Sequence, residues 1–179
     1  KAGPDYIDAA FHAAASGRAC FNMDTWAMRP ETLGGIAARA AAGAEIVVAE
    51  GVMGLFDGAA GAGPGGAGSS AELARQTGWP VVLVVDAKGM AASAAAVLHG
   101  FARFRDDVPI AGAIFNRVGS ARHEAMLRAA CAPLGIPILG CVPRDADLVL
   151  PERHLGLVQA GDRPLIESFL GRAADLAST

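Results

Sequence analysis

The residues best suited to chemistry in this chain are carboxylates. Two of them stand seven positions apart in residues 46–58, I-V-V-A-E-G-V-M-G-L-F-D-G. The apolar run 46–49 delivers Glu50 at its end, and a glycine-laced turn then carries Asp57. β-Branched residues in a short run bounded by turn signals predict a central strand. Ligands of open α/β sheets bind beyond the carboxyl ends of such strands. An acid there can hold a hydrated magnesium ion against the phosphates of a nucleotide. The competing reading is a strand that ends in a solvated acidic loop.

Further candidates extend this pattern. Residues 19–24 predict a short strand closing on Asp24, and parallel neighbours would bring the Asp24 and Glu50 carboxylates to one edge. Magnesium needs one or two such oxygens, with phosphate and water completing its shell. Two unrelated surface acids are the plainer alternative. Lys1, at the end of a strand of its own, could meet a γ-phosphate as a point charge, or could be solvated as a chain terminus. Residues 1–8, K-A-G-P-D-Y-I-D, predict a loop, because Pro4 pushes Gly3 away from helix. Asp5, Tyr6 and Asp8 make it either a ligand-contact loop or a surface turn with Tyr6 as a packing lid.

Asn116 offers one acceptor and two donors, which suits an adenine edge, and Asn after a strand is also a common turn former. Arg117, Arg122, His123, Arg144, Arg153 and His154 follow the later strands, to steer a polyanion or to cap helices and solvate loops. The four histidines are too scattered for a metal set. No Ser-His-Asp or Cys-His arrangement is defensible, and the phosphate loop G-x-x-x-x-G-K-[ST] occurs nowhere.

These residues need a scaffold, and the punctuation of the chain predicts one. Pro30 suits the first turn of a helix to about residue 42, which Gly43 ends. Residues 59–68, almost wholly Gly and Ala, predict a mobile loop and a lid over substrate. Ser69 and Ser70 cap a helix that ends near Gly78. Residues 80–86, P-V-V-L-V-V-D, read as a buried parallel strand, and a helix follows over 91–104. A strand over 110–115 ends at Asn116 and Arg117, and Ser120 caps a helix over 121–134. A strand over 137–142 leads to Pro143 and Arg144, residues 151–156 form a polar turn, and a last helix covers 163–177. Strands joined by helices run parallel. The expected architecture is therefore an open, doubly wound, mainly parallel α/β sheet flanked by helices, forming a single domain over residues 1–179.

Composition narrows the function. The chain has 179 residues, enough for one substantial core. Its net charge of −3 argues against general nucleic-acid affinity, and no apolar run reaches membrane-spanning length. Cys20, Cys131 and Cys141 are odd in number and lack C-x-x-C spacing, which suggests neither a disulfide framework nor a zinc site. A reduced, cytoplasmic setting is expected.

K-A-G-P-D-Y-I-D with His12, D-T-W at Asp24, E-G-V-M-G-L-F-D-G, D-A-K-G-M, F-N-R-V-G-S with His123, and L-P-E-R-H-L-G-L-V occur in this order. Together they resemble the cobyrinate a,c-diamide synthase family, and the hydrogenobyrinate a,c-diamide synthases of the aerobic pathway equally. The resemblance implies an ATP-dependent amidoligase of cobalamin biosynthesis, with a synthetase domain similar to dethiobiotin synthetase and a glutaminase domain that supplies ammonia from glutamine. ATP would phosphorylate a carboxylate of a corrinoid, cobyrinate or hydrogenobyrinate, and ammonia would displace phosphate from the acyl phosphate. By the same resemblance Lys1 contacts the γ-phosphate, Asp24 and Glu50 hold Mg²⁺, and Lys1, Asp5, Tyr6, Glu50 and Asp57 make up the catalytic and substrate motifs. Asn116 reads adenine, with Arg117 and Pro143 beside it. The family's phosphate loop is expected upstream of Lys1 and its glutaminase domain after Thr179, so this stretch alone is expected to be inactive. A homodimer is left open. The alternatives are cobyrate synthase, dethiobiotin synthetase, or a non-catalytic module resembling partition ATPases that works by dimerising.

Overall fold

The computed structural model describes residues 1–5, 7–148, 152–153, 156–157 and 163–178, with side chains for all of these except 152–153, 156–157 and 163–166. Tyr6 and His154 lie outside the described residues. The chain falls into two compact units, Lys1–Trp79 with Leu150–Ile166, and Pro80–Val149 with Glu167–Thr179.

In the first unit the helices follow their caps. Asp5 Oδ1 accepts the N–H groups of Ile7 and Asp8, both at 2.9 Å, and so opens α1 (Ile7–Ser16) inside the stretch expected to be loop. Pro30, with its preset φ, starts α2 (Pro30–Ala41). Ser69 Oγ accepts from the Glu72 N–H at 3.2 Å to start α3 (Ser70–Thr77), and Gly78 at φ +69° ends it in the left-handed conformation. Leu33 of α2 and Leu73 of α3 close over Ala2 and Met23 to form the core, with Met28, Ile36, Ala49 and Val52 around it.

Three extended segments meet at Ala2. Met23 N–H donates to the Lys1 carbonyl (2.8 Å) and Gly3 N–H to the Met23 carbonyl (3.0 Å), a parallel bridge. On the other side, Ala2 N–H donates to the Glu50 carbonyl at 2.8 Å. This corrects the expectation of a buried central strand over 46–49. The run is extended but carries no ladder among the described residues, and Ile46 and Val48 are 77% and 81% exposed. Apolar β-branched composition favours an extended backbone, but a ladder also requires a neighbouring strand in register. Residues 19–24 likewise make one bridge, at Met23, rather than a strand.

In the Gly-Ala loop the backbone is partly paired, by Ala59 N–H to the Ala67 carbonyl (2.7 Å) and by a Gly63–Gly66 bridge. Gln76 Nε2 donates to the Gly65 carbonyl. The glycines are there for close approach. A Cβ on Gly63 would stand 1.7 Å from the Trp26 carbonyl oxygen, and one on Gly65 2.7 Å from that of Thr25. The polar turn expected after residue 150 holds a two-residue antiparallel pair, β4 (Glu152–Arg153) with β5 (Gly156–Leu157).

The second unit is the expected parallel α/β arrangement. Strands β1 (Val81–Asp86), β2 (Ile110–Val118) and β3 (Ile138–Pro143) pair in parallel in that order. Helices α4 (Ser93–Phe104) and α5 (Ala121–Cys131) touch one another, and they meet β1 and β3 respectively, so they cover one face. Leu98, Phe115 and Leu127 are fully buried, whereas Val82 and Val84 of β1 are exposed. The strand expected to be buried throughout is thus buried at alternate residues, because both helices lie on the same side. Strand β2 runs on through Asn116 and Arg117 instead of ending before them. The last helix, α6, is Arg163–Ala177, as expected.

Candidate functional site

The first unit gathers charge around one ammonium. Lys1 is only 7% exposed. Its Nζ lies 2.7 Å from Asp8 Oδ2, 3.3 Å from Glu50 Oε2 and 4.0 Å from Asp5 Oδ2, and it donates to the Gly51 carbonyl at 2.9 Å. Burial works against the Lys1 charge, but the hydrogen bond to Asp8, followed by the charge and hydrogen bond of Glu50, outweighs it and holds the ammonium above its ordinary pKa. Glu50 is shared. Its Oε2 also lies 2.5 Å from His12 Nε2, on the next turn of α1 after Asp8. The Asp5 carboxyl is held below the ordinary range, first by the Asp8 N–H it accepts and, despite some burial, by the Ile7 N–H.

Asp24 and Glu50 flank the 1–3 segment from opposite sides. The alternating N–H directions of an extended chain send Gly3 toward Met23 and Ala2 toward Glu50. Two strand spacings, roughly 9.5 Å, separate the two backbones. Asp24 is buried, and its Oδ1 accepts the N–H groups of Trp26 (2.9 Å) and Ala27 (3.3 Å). The adjacent Thr25 Oγ1 is buried and has no hydrogen-bond partner among the described residues. Asp57 folds back on its own turn, where its Oδ2 accepts the Gly54 N–H at 2.9 Å. That turn places Met53 in the left-handed region at φ +51°.

The second unit carries Asn116, Arg117 and Pro143 at the carboxyl ends of β2 and β3. Asn116 Oδ1 accepts the Arg117 N–H at 2.8 Å, and Arg117 is left-handed at φ +59°. The Arg117 guanidinium grips Asp86, the register partner of Asn116, with both carboxylate oxygens engaged and Nε 2.8 Å from Oδ1. Pro143 pairs with Val118, and Arg144 N–H donates to the Val118 carbonyl at 2.9 Å. His123 Nδ1 accepts the Gly119 N–H (3.1 Å), which makes Nε2 the donor to the Met90 carbonyl (2.6 Å).

Of the residues singled out from sequence, Lys1, Asp5 and Glu50 come together, with Asp24 across the 1–3 segment, while Asp57 serves its turn. Sequence reasoning offered Asp8 only as part of a ligand-contact loop, and gave no role of their own to His12 in the lysine cluster or to Asp86 on Arg117. The i, i+4 spacing of Asp8 and His12 was the available signal, since it places both on one helical face. With residues 1–8 expected to be loop, Asp8 and His12 do not read as members of one helix.

Residues 7–158 match the family model described as CobQ/CobB/MinD/ParA nucleotide binding domain. The chain is 61% identical over 180 residues to a hydrogenobyrinate a,c-diamide synthase of Brucella anthropi, covering 100% of this chain and 40% of the relative. The synthase of the same name from Rhodobacter capsulatus is 56% identical over 178 residues, 99% of this chain and 41% of the relative. That of Rhizobium meliloti is 56% identical over 174 residues, 97% of this chain and 40% of the relative. The chain therefore spans about two-fifths of the length of these curated relatives. No solved structure matches it. Among the described residues, no helix is long and apolar enough to cross a membrane.

Proposed function

The chain belongs to the CobQ/CobB/MinD/ParA nucleotide binding domain family, and on that premise we propose that it is the ATP-using synthetase part of a glutamine-dependent amidoligase. Its substrate is a corrinoid of the hydrogenobyrinate or cobyrinate type, amidated on the a and c acetate groups in the cytoplasm. The two units are read as parts of one synthetase domain, and the glutaminase domain belongs to the remainder of the longer protein. The observation that carries the reading is the buried Lys1 ammonium, held between Asp8 and Glu50. The names and 56–61% identities of relatives matched along the whole chain support the substrate class over cobyrate or dethiobiotin synthesis.

In this reaction an acetate oxygen of the substrate attacks the γ-phosphorus of ATP, the bond to ADP breaks, and an acyl phosphate forms. Ammonia released from glutamine attacks the acyl carbon, phosphate leaves, and the nitrogen loses a proton to give the amide. Lys1 meets the γ-phosphate as a compact positive charge, and Asp8 and Glu50 keep that charge in place until phosphate arrives. Asp5 holds the start of α1 and with it Asp8. In the second unit, Asn116 reads the adenine edge through its amide, beside Arg117 and Pro143.

Magnesium fits the donors present. No three His, Cys, Asp or Glu side chains among the described residues converge to chelate a metal alone, and Mg²⁺ asks only for one or two carboxylates beside phosphate and water. The unpartnered Thr25 hydroxyl next to Asp24 is the kind of buried group that a metal's water shell would satisfy. Asp24 and Glu50 would hold the ion. When bound it spreads the charge on the transferring phosphoryl group.

The test is amidation by the full-length gene product, supplied with hydrogenobyrinate, glutamine and ATP and followed by mass spectrometry. Diamide formation that requires ATP, and that Lys1→Ala and Glu50→Gln abolish, is expected. ATP hydrolysis with no amide product from either corrinoid would overturn the reading.

A further inference from the structure

Trp26 is half exposed, yet its surroundings fix it as firmly as a core residue. Its Nε1–H donates to the Gly61 carbonyl at 3.1 Å, so the polar end of the indole is satisfied within the protein. Its backbone N–H is held by Asp24 Oδ1, and the turn that starts there closes with Met28 N–H on the Asp24 carbonyl at 2.9 Å. The Gly-Ala loop passes against this turn at distances only glycine permits, 1.7 Å from a Gly63 Cβ to the Trp26 carbonyl oxygen and 3.2 Å from a Gly68 Cβ to the Trp26 Cβ. Ten residues of loop backbone thus serve to set one indole, which nonetheless keeps half of its surface in solvent. A surface tryptophan with no task needs neither the loop nor the internal partner for Nε1. A large aromatic side chain held rigid with one end satisfied is suited to receiving a flat apolar partner.

We propose that Trp26 is the platform on which the conjugated ring of the corrinoid rests, making it a specificity-determining residue rather than a catalytic one. This rests on the corrinoid reading above. It stands two positions after Asp24, and the same carboxylate that would face the metal fixes the backbone of the platform. For the reaction to proceed, a ring seated on the indole must turn a peripheral acetate toward the Lys1–Glu50 cluster, on the other side of the 1–3 segment from Met23. The loop over 59–68 is the support of the platform.

The experiment titrates hydrogenobyrinate into the full-length gene product, following the corrinoid absorbance for binding and initial rates for KM. Trp26→Leu keeps the apolar bulk and removes the extended π surface, and Trp26→Phe keeps a ring. Trp26→Leu is expected to weaken corrinoid binding and raise its KM about tenfold, the scale of an aromatic stacking contact. Trp26→Phe should stay within about threefold of wild type, and the KM for ATP should be unchanged in both. Corrinoid affinity unchanged in Trp26→Leu would overturn the platform while leaving amidation intact. Equal losses for ATP and corrinoid would also overturn it, since that is the mark of a structural role. A wild-type protein that takes up no corrinoid would remove both this inference and the reading beneath it.

Discussion

Replacing Glu50 with Gln keeps the shape of the side chain and removes the carboxylate that Lys1 and His12 share. At 3.3 Å the Lys1–Glu50 attraction amounts to about 5 kcal/mol at an effective dielectric of 20 and about 1.3 kcal/mol in water. The Glu50 side chain is 50% exposed, so the lower figure governs, and the measured worth of such pairs is smaller again. Lys1 also keeps Asp8 at 2.7 Å and the Gly51 carbonyl at 2.9 Å, and so is not stranded. The expected loss is about 0.5–1 kcal/mol of stability, a fall in Tm of roughly 1–4 °C for a chain of this size. Thermal and urea melts at low salt and at 1 M salt read it, and the difference should shrink at high salt. Amidation, by contrast, should fall by orders of magnitude in the proposed reading, which gives the lost carboxylate a share in holding Mg²⁺. A stability loss above about 3 kcal/mol would show that Lys1 and Glu50 behave as a buried pair, and the reasoning from exposure would fail. Full amidation activity in this variant would refute the assignment of Glu50.

Three further outcomes are expected. Gly63→Ala should destabilise the first unit by more than about 2 kcal/mol, since its Cβ would press on the Trp26 carbonyl oxygen at 1.7 Å and backbone must move to admit it; chemical denaturation reads this, with Gly61→Ala, which has open space, as the control. Asp86→Asn should cost about 0.5–1 kcal/mol through the half-exposed Arg117 pair, and in the nucleotide-site reading it should raise the KM for ATP by freeing Arg117, leaving the KM for glutamine alone. For pH, the contribution of Asp5 is present above its unfolded value near 3.8 and lost as pH falls through its lower folded value. That of Lys1 is present below about 10.5 and lost as pH rises through its raised folded value. Stability of Asp5→Asn relative to wild type, measured against pH, should accordingly converge with wild type only below the ordinary carboxylate range.

Local signals in the chain were enough for most helices and for the parallel sheet of the second unit. Pro30, Ser69, Gly78 and Ser120 act on the backbone within a turn of themselves, so their effect is written where they stand. The alternation of apolar runs with helical stretches similarly determined that β1, β2 and β3 run parallel. Tertiary structure decided which of these runs has neighbours. Among the described residues the backbone of 46–50 bonds to Ala2 alone, and β1 is buried at alternate residues, because pairing and coverage depend on segments far away in sequence. It also decided partners among the charges. Lys1 chose Asp8 over Asp5, Glu50 acquired His12, and Arg117 turned to Asp86, since a charge settles on whichever opposite group the fold brings within about 3 Å. The Gly-Ala loop makes the same point. Its composition is that of a flexible linker, but the Trp26 turn needs a backbone without side chains to pass against it, and there glycine serves contact instead of freedom.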